Sequence, residues 1–96
     1  MLSDRTAIVT GGNSGIGRAI ALLLAENGAS VFVGDIEQSE ETEQLFAPLA
    51  IVQRQCDVRR ENELASLVEQ AVTPSGRIDM LVNNAGVGMV KPISEV

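Results

Sequence analysis

The sequence holds no His, no Tyr and no Trp, and only two Phe among its 96 residues. His and Tyr are common proton donors and acceptors in enzymes, so their absence leaves Asp, Glu, Lys and one Cys as proton carriers. That single cysteine, Cys56, has no partner for an internal disulfide, and nothing marks a secreted, cross-linked scaffold. Its expected role is a small buried side chain at a strand end. Basic residues are scarce as well: seven Lys and Arg against thirteen Asp and Glu give a net charge of −6. A nucleic-acid surface needs a basic face, so no nucleic-acid partner is expected. Long apolar runs are missing too. The longest, Ala19 to Ala25, falls far short of a membrane span, and Met1-Leu2-Ser3-Asp4-Arg5 carries no signal core. These absences point to a cytoplasmic protein without a membrane partner.

What remains is a globular composition, 45% hydrophobic and 21% charged, sized for one small domain or a piece of a larger one. Arg5 to Thr10 reads as a first strand whose continuous apolar centre suits a parallel sheet buried on both faces. From Ile16 to Asn27 a helix is predicted, with Ile16, Ile20, Leu23, Leu24 and Asn27 on one face and Gly28 as the residue that ends it. Ser30 to Gly34 is a second strand closed by Asp35. Gln38 to Ala47 is an acidic helix with Leu45, Phe46 and Leu49 as apolar positions and Pro48 as its limit. Ile51 to Val58 reads as a third, less apolar strand at the edge, and Glu61 to Val72 as a helix with Leu64, Leu67, Val68 and Ala71 at helical spacing. Pro74-Ser75-Gly76 is a turn, Ile78 to Asn83 a fourth strand, and a loop with Gly88 and Pro92 follows. The alternation βαβαβαβ with short connections demands a parallel sheet with right-handed crossovers and helices on both faces. The fold class is therefore α/β, a Rossmann-like doubly wound sheet in the order 3-2-1-4, with ligands at the carboxyl ends of its strands.

One stretch organises the chemistry: Thr10-Gly11-Gly12-Asn13-Ser14-Gly15-Ile16-Gly17 joins the first strand to the first helix. Gly11 suits a sharp turn at positive φ, Gly15 lets a diphosphate approach the backbone, and Gly17 lets the helix sit close to the strand. The first amides of the helix, among them those of Ser14 and Ile16, have no intrahelical acceptor and point at the anion with the positive end of the helix dipole. The side chains of Asn13 and Ser14 add polar partners.

Asp35 follows Gly17 by 18 residues, close to the separation of about 20 expected of the acid that binds a ribose. A carboxylate there accepts from both ribose hydroxyls and repels a 2′-phosphate, and no Lys or Arg stands between Arg18 and Arg54 to neutralise one. The bland alternative is a solvated acid at a strand end. Asp57-Val58 closes the third strand, where the acid can accept from an adenine amino group while Val58 packs on the ring, or simply cap the next helix. Asn83 and Asn84 end an apolar strand, where their amides either tie neighbouring strands together or reach the cofactor.

With these four motifs in order, the chain resembles the N-terminal half of a classical short-chain dehydrogenase/reductase along nearly its whole length. The resemblance implies a nicotinamide cofactor over the glycine turn, adenine between Asp35 and Asp57-Val58, and Asn84 near the cofactor. It also implies that Thr10 ties the first strand to the Asn83–Gly86 segment. In that family an acid at the place of Asp35 goes with NAD, whereas NADP users carry a base at the place of Ser14 or just after the second strand, where this chain has Ile36-Glu37. The family's Ser, Tyr-x-x-x-Lys and further Asn lie C-terminal to the matched region. The expectation is thus a partial NAD-binding Rossmann domain over residues 1–96, truncated before the catalytic half and inactive by itself, with no catalytic residue and no metal ligand of its own. The intact protein would be a homo-oligomeric oxidoreductase acting on a small alcohol or carbonyl. A stand-alone nucleotide-binding or regulatory module is the alternative; a methyltransferase is disfavoured by the Thr10–Gly17 spacing and the Asn83–Gly86 segment. The fourth strand, Ile78 to Asn83, is expected at an open apolar edge, through which the isolated chain would self-associate.

Overall fold

In the computed structural model, residues 2–12, 15–36, 39–83 and 92–93 are described. β1 spans Thr6–Thr10, and all five of its residues are buried. A strand buried on both faces needs a layer of helices on each side, and its alternating side chains divide between two cores accordingly. Ala7 and Val9 enter one, Ile8 the other. β2 (Ser30–Asp35) repeats the division, with Val31 and Val33 on the first side and Phe32 on the second. The helices α1 (Gly15–Glu26) and α2 (Glu40–Phe46) supply Ala21 and Phe46 to the first core. The helix α3 (Glu61–Ser75) supplies Leu67 and Ala71 to the second. With β3 (Val52–Gln55), β4 (Met80–Asn83) and β5 (Pro92–Ile93), the sheet runs in the order β3-β2-β1-β4-β5. The first four strands are parallel, in the expected 3-2-1-4 order, and β5 is antiparallel to β4.

Several local expectations are corrected. In α1 the inward face carries Gly17 and Ala21, both buried, with Ile20 and Leu24 packed against the core as expected, whereas Ile16 and Leu23 are 56% and 59% exposed. Small residues let the helix axis approach the sheet, and that close approach decides which face turns inward. Gly28 ends α1 at φ 100° as expected; its amide donates to Ala25 O and that of Ala29 to Leu24 O, which satisfies two of the orphan carbonyls. α2 begins later than predicted because the Ser39 hydroxyl accepts from the Thr42 amide and caps it. Phe46 is buried as expected and Leu45 is exposed; a short 3₁₀ turn, Ala47–Leu49, holds Pro48.

β3 is the sheet edge, as expected, but it stops at Gln55, so Asp57 and Val58 lie in the turn beyond it. α3 continues past the predicted stop through Pro74 to Ser75, where Gly76 closes it at φ 81°. A proline in the last turn forfeits only its own bond to the carbonyl four residues back. β4 is not an open edge: Leu81 and Val82 pair with Ile93 and Pro92. The outermost strand is then β5, and Pro92 has no amide to offer a further strand. That pairing removes the basis for self-association through residues 78–83.

Candidate functional site

The sequence motifs converge where the parallel strands end. After Thr10, the Gly11 amide still reaches Gly34 O at 2.8 Å, and the chain then turns at φ 69°. Gly12 is buried against β2: a Cβ there would stand 2.6 Å from Val33 Cγ1. Gly15 opens α1 at φ 61°, and among the described residues, apart from its chain neighbours and the backbone of its own helix, no atom lies within 4 Å of the place a Cβ would take. Gly17 is buried on the sheet side and Ile16 faces outward. Asn13, Ser14 and Asn84, all expected at the site, lie outside the described residues.

Asp35 closes β2, half-buried and in register with Gln55, and its carbonyl accepts from the Cys56 amide at 2.9 Å. Asp57 lies two residues past β3. Its carboxylate accepts from the Arg59 amide at 3.0 Å and from the Arg59 guanidinium at 3.0 and 2.9 Å. Those bonds hold its carboxyl down to about 2. The helix-capping alternative is not what is seen: Arg60 occupies the cap of α3 with no side-chain bond, and Glu63 reaches back to accept from the Asp57 amide at 2.9 Å. A groove of about 500 Å3 opens beside Asp57, between Ile36, Gln55, Arg60 and Glu63. Val58 is half-buried in the same turn.

At the end of β4, Asn83 takes the strand-tying role. It is in register with Thr10, whose hydroxyl donates to Asn83 Oδ1 at 2.8 Å. Burial pushes the Cys56 thiol up, with Glu63 and Asp57 adding to the effect, which leaves it an unreactive core side chain.

Three contributors escaped the reading of the sequence. Gly12 and Gly34 permit close packing; a Cβ on Gly34 would meet Leu67 Cδ2 at 2.5 Å and Cys56 Cβ at 3.1 Å. A glycine within the second strand, directly after the apolar run Val31-Phe32-Val33, was the available signal for Gly34, since glycine in a strand marks a close approach. The third is Arg59, and an Asp two residues before an Arg was the only hint.

Among the described residues no cluster of His, Cys, Asp and Glu suits a metal ion, and no helix is long and apolar enough to cross a membrane. The family model described as short chain dehydrogenase matches residues 5–96. An uncharacterized oxidoreductase of Thermotoga maritima is 41% identical over 99% of this chain. The 7alpha-hydroxysteroid dehydrogenase of Escherichia coli K12 is 40% identical over 95% of it. The chain spans only 39% and 37% of those two relatives. Among solved structures, a short chain dehydrogenase from Burkholderia cenocepacia in complex with NADP superposes with a TM-score of 0.80 at 33% identity. It covers 90% of this chain and 37% of its own. Strand order, glycine turn and sequence likeness over almost every residue agree, and the chain belongs to the short-chain dehydrogenase/reductase family of oxidoreductases.

Proposed function

We propose that the chain binds a nicotinamide dinucleotide across the carboxyl ends of β1, β2 and β3. In this reading it forms the NAD-binding Rossmann part of an oxidoreductase acting on an alcohol or carbonyl. The observation that carries the reading is Gly15. At φ 61°, with no atom of another described part of the chain within 4 Å of where a Cβ would stand, it leaves the backbone accessible at the first turn of a twelve-residue helix. The amides of that turn lack intrahelical acceptors, and the helix dipole is positive there, which suits a diphosphate. Gly11, Asn13, Ser14, Ile16 and Gly17 complete that end. Asp35 accepts from the ribose, Asp57 and Val58 take the adenine, and Asn84 is a further contact. A bound nicotinamide would supply the hydride donor or acceptor; this chain's own part is to hold and orient the dinucleotide.

The preference is for NAD(H). Likeness alone does not choose, because a solved relative carries NADP. What supports NAD is the carboxylate of Asp35 in a stretch of sequence that has no Lys or Arg between Arg18 and Arg54 to offset a 2′-phosphate. Arg18 is engaged by Thr42 Oγ1 at 3.3 Å and Glu41 at 3.7 Å, and Arg54 by Gln70 Oε1 at 2.8 Å. A carboxylate beside a 2′-phosphate costs on the order of 1–3 kcal/mol, roughly ten- to a hundredfold in affinity. Titration calorimetry with both cofactors tests this. NAD should bind more tightly, and Asp35→Ala should narrow the gap; equal or tighter NADP binding overturns the preference. A small-molecule substrate, a cytoplasmic setting and a homo-oligomeric assembly of the whole protein follow from the same family reading.

A further inference from the structure

In the reading just proposed, Asp57 accepts a hydrogen bond from the adenine amino group, and its carboxylate is already heavily engaged. Oδ1 accepts from the Arg59 amide and from Arg59 Nε, each at 3.0 Å, and Oδ2 accepts from Arg59 Nη2 at 2.9 Å. An ionised carboxylate offers about four acceptor positions, two on each oxygen. Arg59 fills three of them, leaving one on Oδ2. Arg60 Nε, at 3.9 Å from that oxygen, is too far to take it. The turn is anchored independently: the Asp57 amide donates to Glu63 Oε1 at 2.9 Å, and the Arg60 amide to Asp57 O at 2.9 Å.

We infer that Arg59 is a positioning residue for cofactor recognition: its guanidinium fork orients Asp57 so that a single acceptor, on Oδ2, is presented to an aminopurine. The inference rests on the dinucleotide reading above. A planar fork suits this task because its two parallel N–H groups fix the plane of the carboxylate, an orientation that a freely rotating ammonium does not impose. The same bonds hold that carboxyl down to about 2. The arginine side chain is 80% exposed. An exposed ion pair of this kind contributes little to folding, so Arg59→Ala should fold as the wild type does.

The test compares NAD with its deaminated analogue, nicotinamide hypoxanthine dinucleotide, in which oxygen replaces the adenine amino group. Wild type should favour NAD by about tenfold, the range of one hydrogen bond to a charged acceptor. Arg59→Ala should bring that ratio toward one, and Arg59→Lys, which keeps the charge without the fork, should lose most of it too. If Arg59→Ala lowers both affinities equally and leaves the ratio alone, Arg59 is merely electrostatic or structural and the inference is overturned. A second arm needs no cofactor: carbon NMR of the Asp57 carboxyl should show its midpoint rising in Arg59→Ala, where the guanidinium bonds are gone and the backbone amide bond of residue 59 stays. An unmoved midpoint overturns the inference by itself. Wild type that binds neither dinucleotide overturns the cofactor reading and this inference with it; NAD binding with an unchanged ratio overturns the inference alone.

Discussion

Gly12 shows how much a single hydrogen in place of a methyl can decide. Its missing Cβ would stand 2.6 Å from Val33 Cγ1 and 3.1 Å from Cγ2. Valine is stiff about χ1 and β2 is buried, so neither side yields cheaply. Gly12→Ala is expected to destabilise by about 1–3 kcal/mol. Adding Val33→Ala should recover part of that loss relative to Val33→Ala alone, which a double-mutant cycle in urea would measure. A cycle with no coupling would show that the clash is not the cause. The positive φ of Gly11 was legible in the sequence because it is a property of the residue and its turn, and that of Gly15 came only with the structure. The role of Gly12 was not, because it depends on a side chain 21 positions away. Asn83 lay between: its place at a strand end announced an amide needing a partner, and only the register with Thr10 said which.

At the scale of elements, a carboxylate fastens the starting ends of two strands. Asp79, just before β4, accepts from the Thr6 amide at 2.8 Å, from Arg77 Nε at 3.0 Å and from Arg5 Nη1 at 3.4 Å. Arg77 in turn donates to Asp4 O at 2.6 Å. The Thr6 amide, then the two arginines, hold the Asp79 carboxyl below its ordinary value. Its ionised form is therefore favoured in the native state. That contribution is complete above the unfolded carboxylate range, near about pH 4, and is lost as pH falls through the lower native value. Thermal midpoints should drop on acidification below about pH 4, and Asp79→Asn should flatten the slope; the Asp57–Arg59 pair acts in the same window and should keep some of it. Equal slopes in mutant and wild type would rule out this role for Asp79. On the other end of the sheet's helical layer, Phe46 is the largest fully buried side chain. Phe46→Ala should cost about 3–5 kcal/mol, read from urea midpoints. The α2 period made that residue legible, and the α1 period did so in part. The apolar period placed Ile20 and Leu24 against the core but not Ile16 and Leu23, because the face that meets the sheet is centred on Gly17 and Ala21.

For the whole molecule, the prediction is negative. The sequence has neither Tyr nor His, and no remaining acid or base is placed by motif at the nicotinamide end. Losing a general acid alone costs about 10²–10⁴ in rate. Assays of NADH absorbance with a panel of alcohols and ketones should detect no turnover by the 96-residue chain. Turnover at ordinary enzyme rates would mean that its proton carrier has been missed.

The amino-acid sequence by itself determined the alternation of elements, the order of the four parallel strands and the glycine turn. Each of these follows from local propensity, hydrophobic period and the handedness of βαβ crossovers, all carried by neighbouring residues. Tertiary structure alone decided the rest. It settled which face of α1 meets the sheet, that β5 rather than β4 forms the edge, that β3 ends before Asp57, and that Arg59 occupies three of that carboxylate's acceptor positions. The reason is physical: close approach, strand pairing and hydrogen-bond saturation are set by atoms distant in sequence or by the shape of a turn, and neither has a period to read.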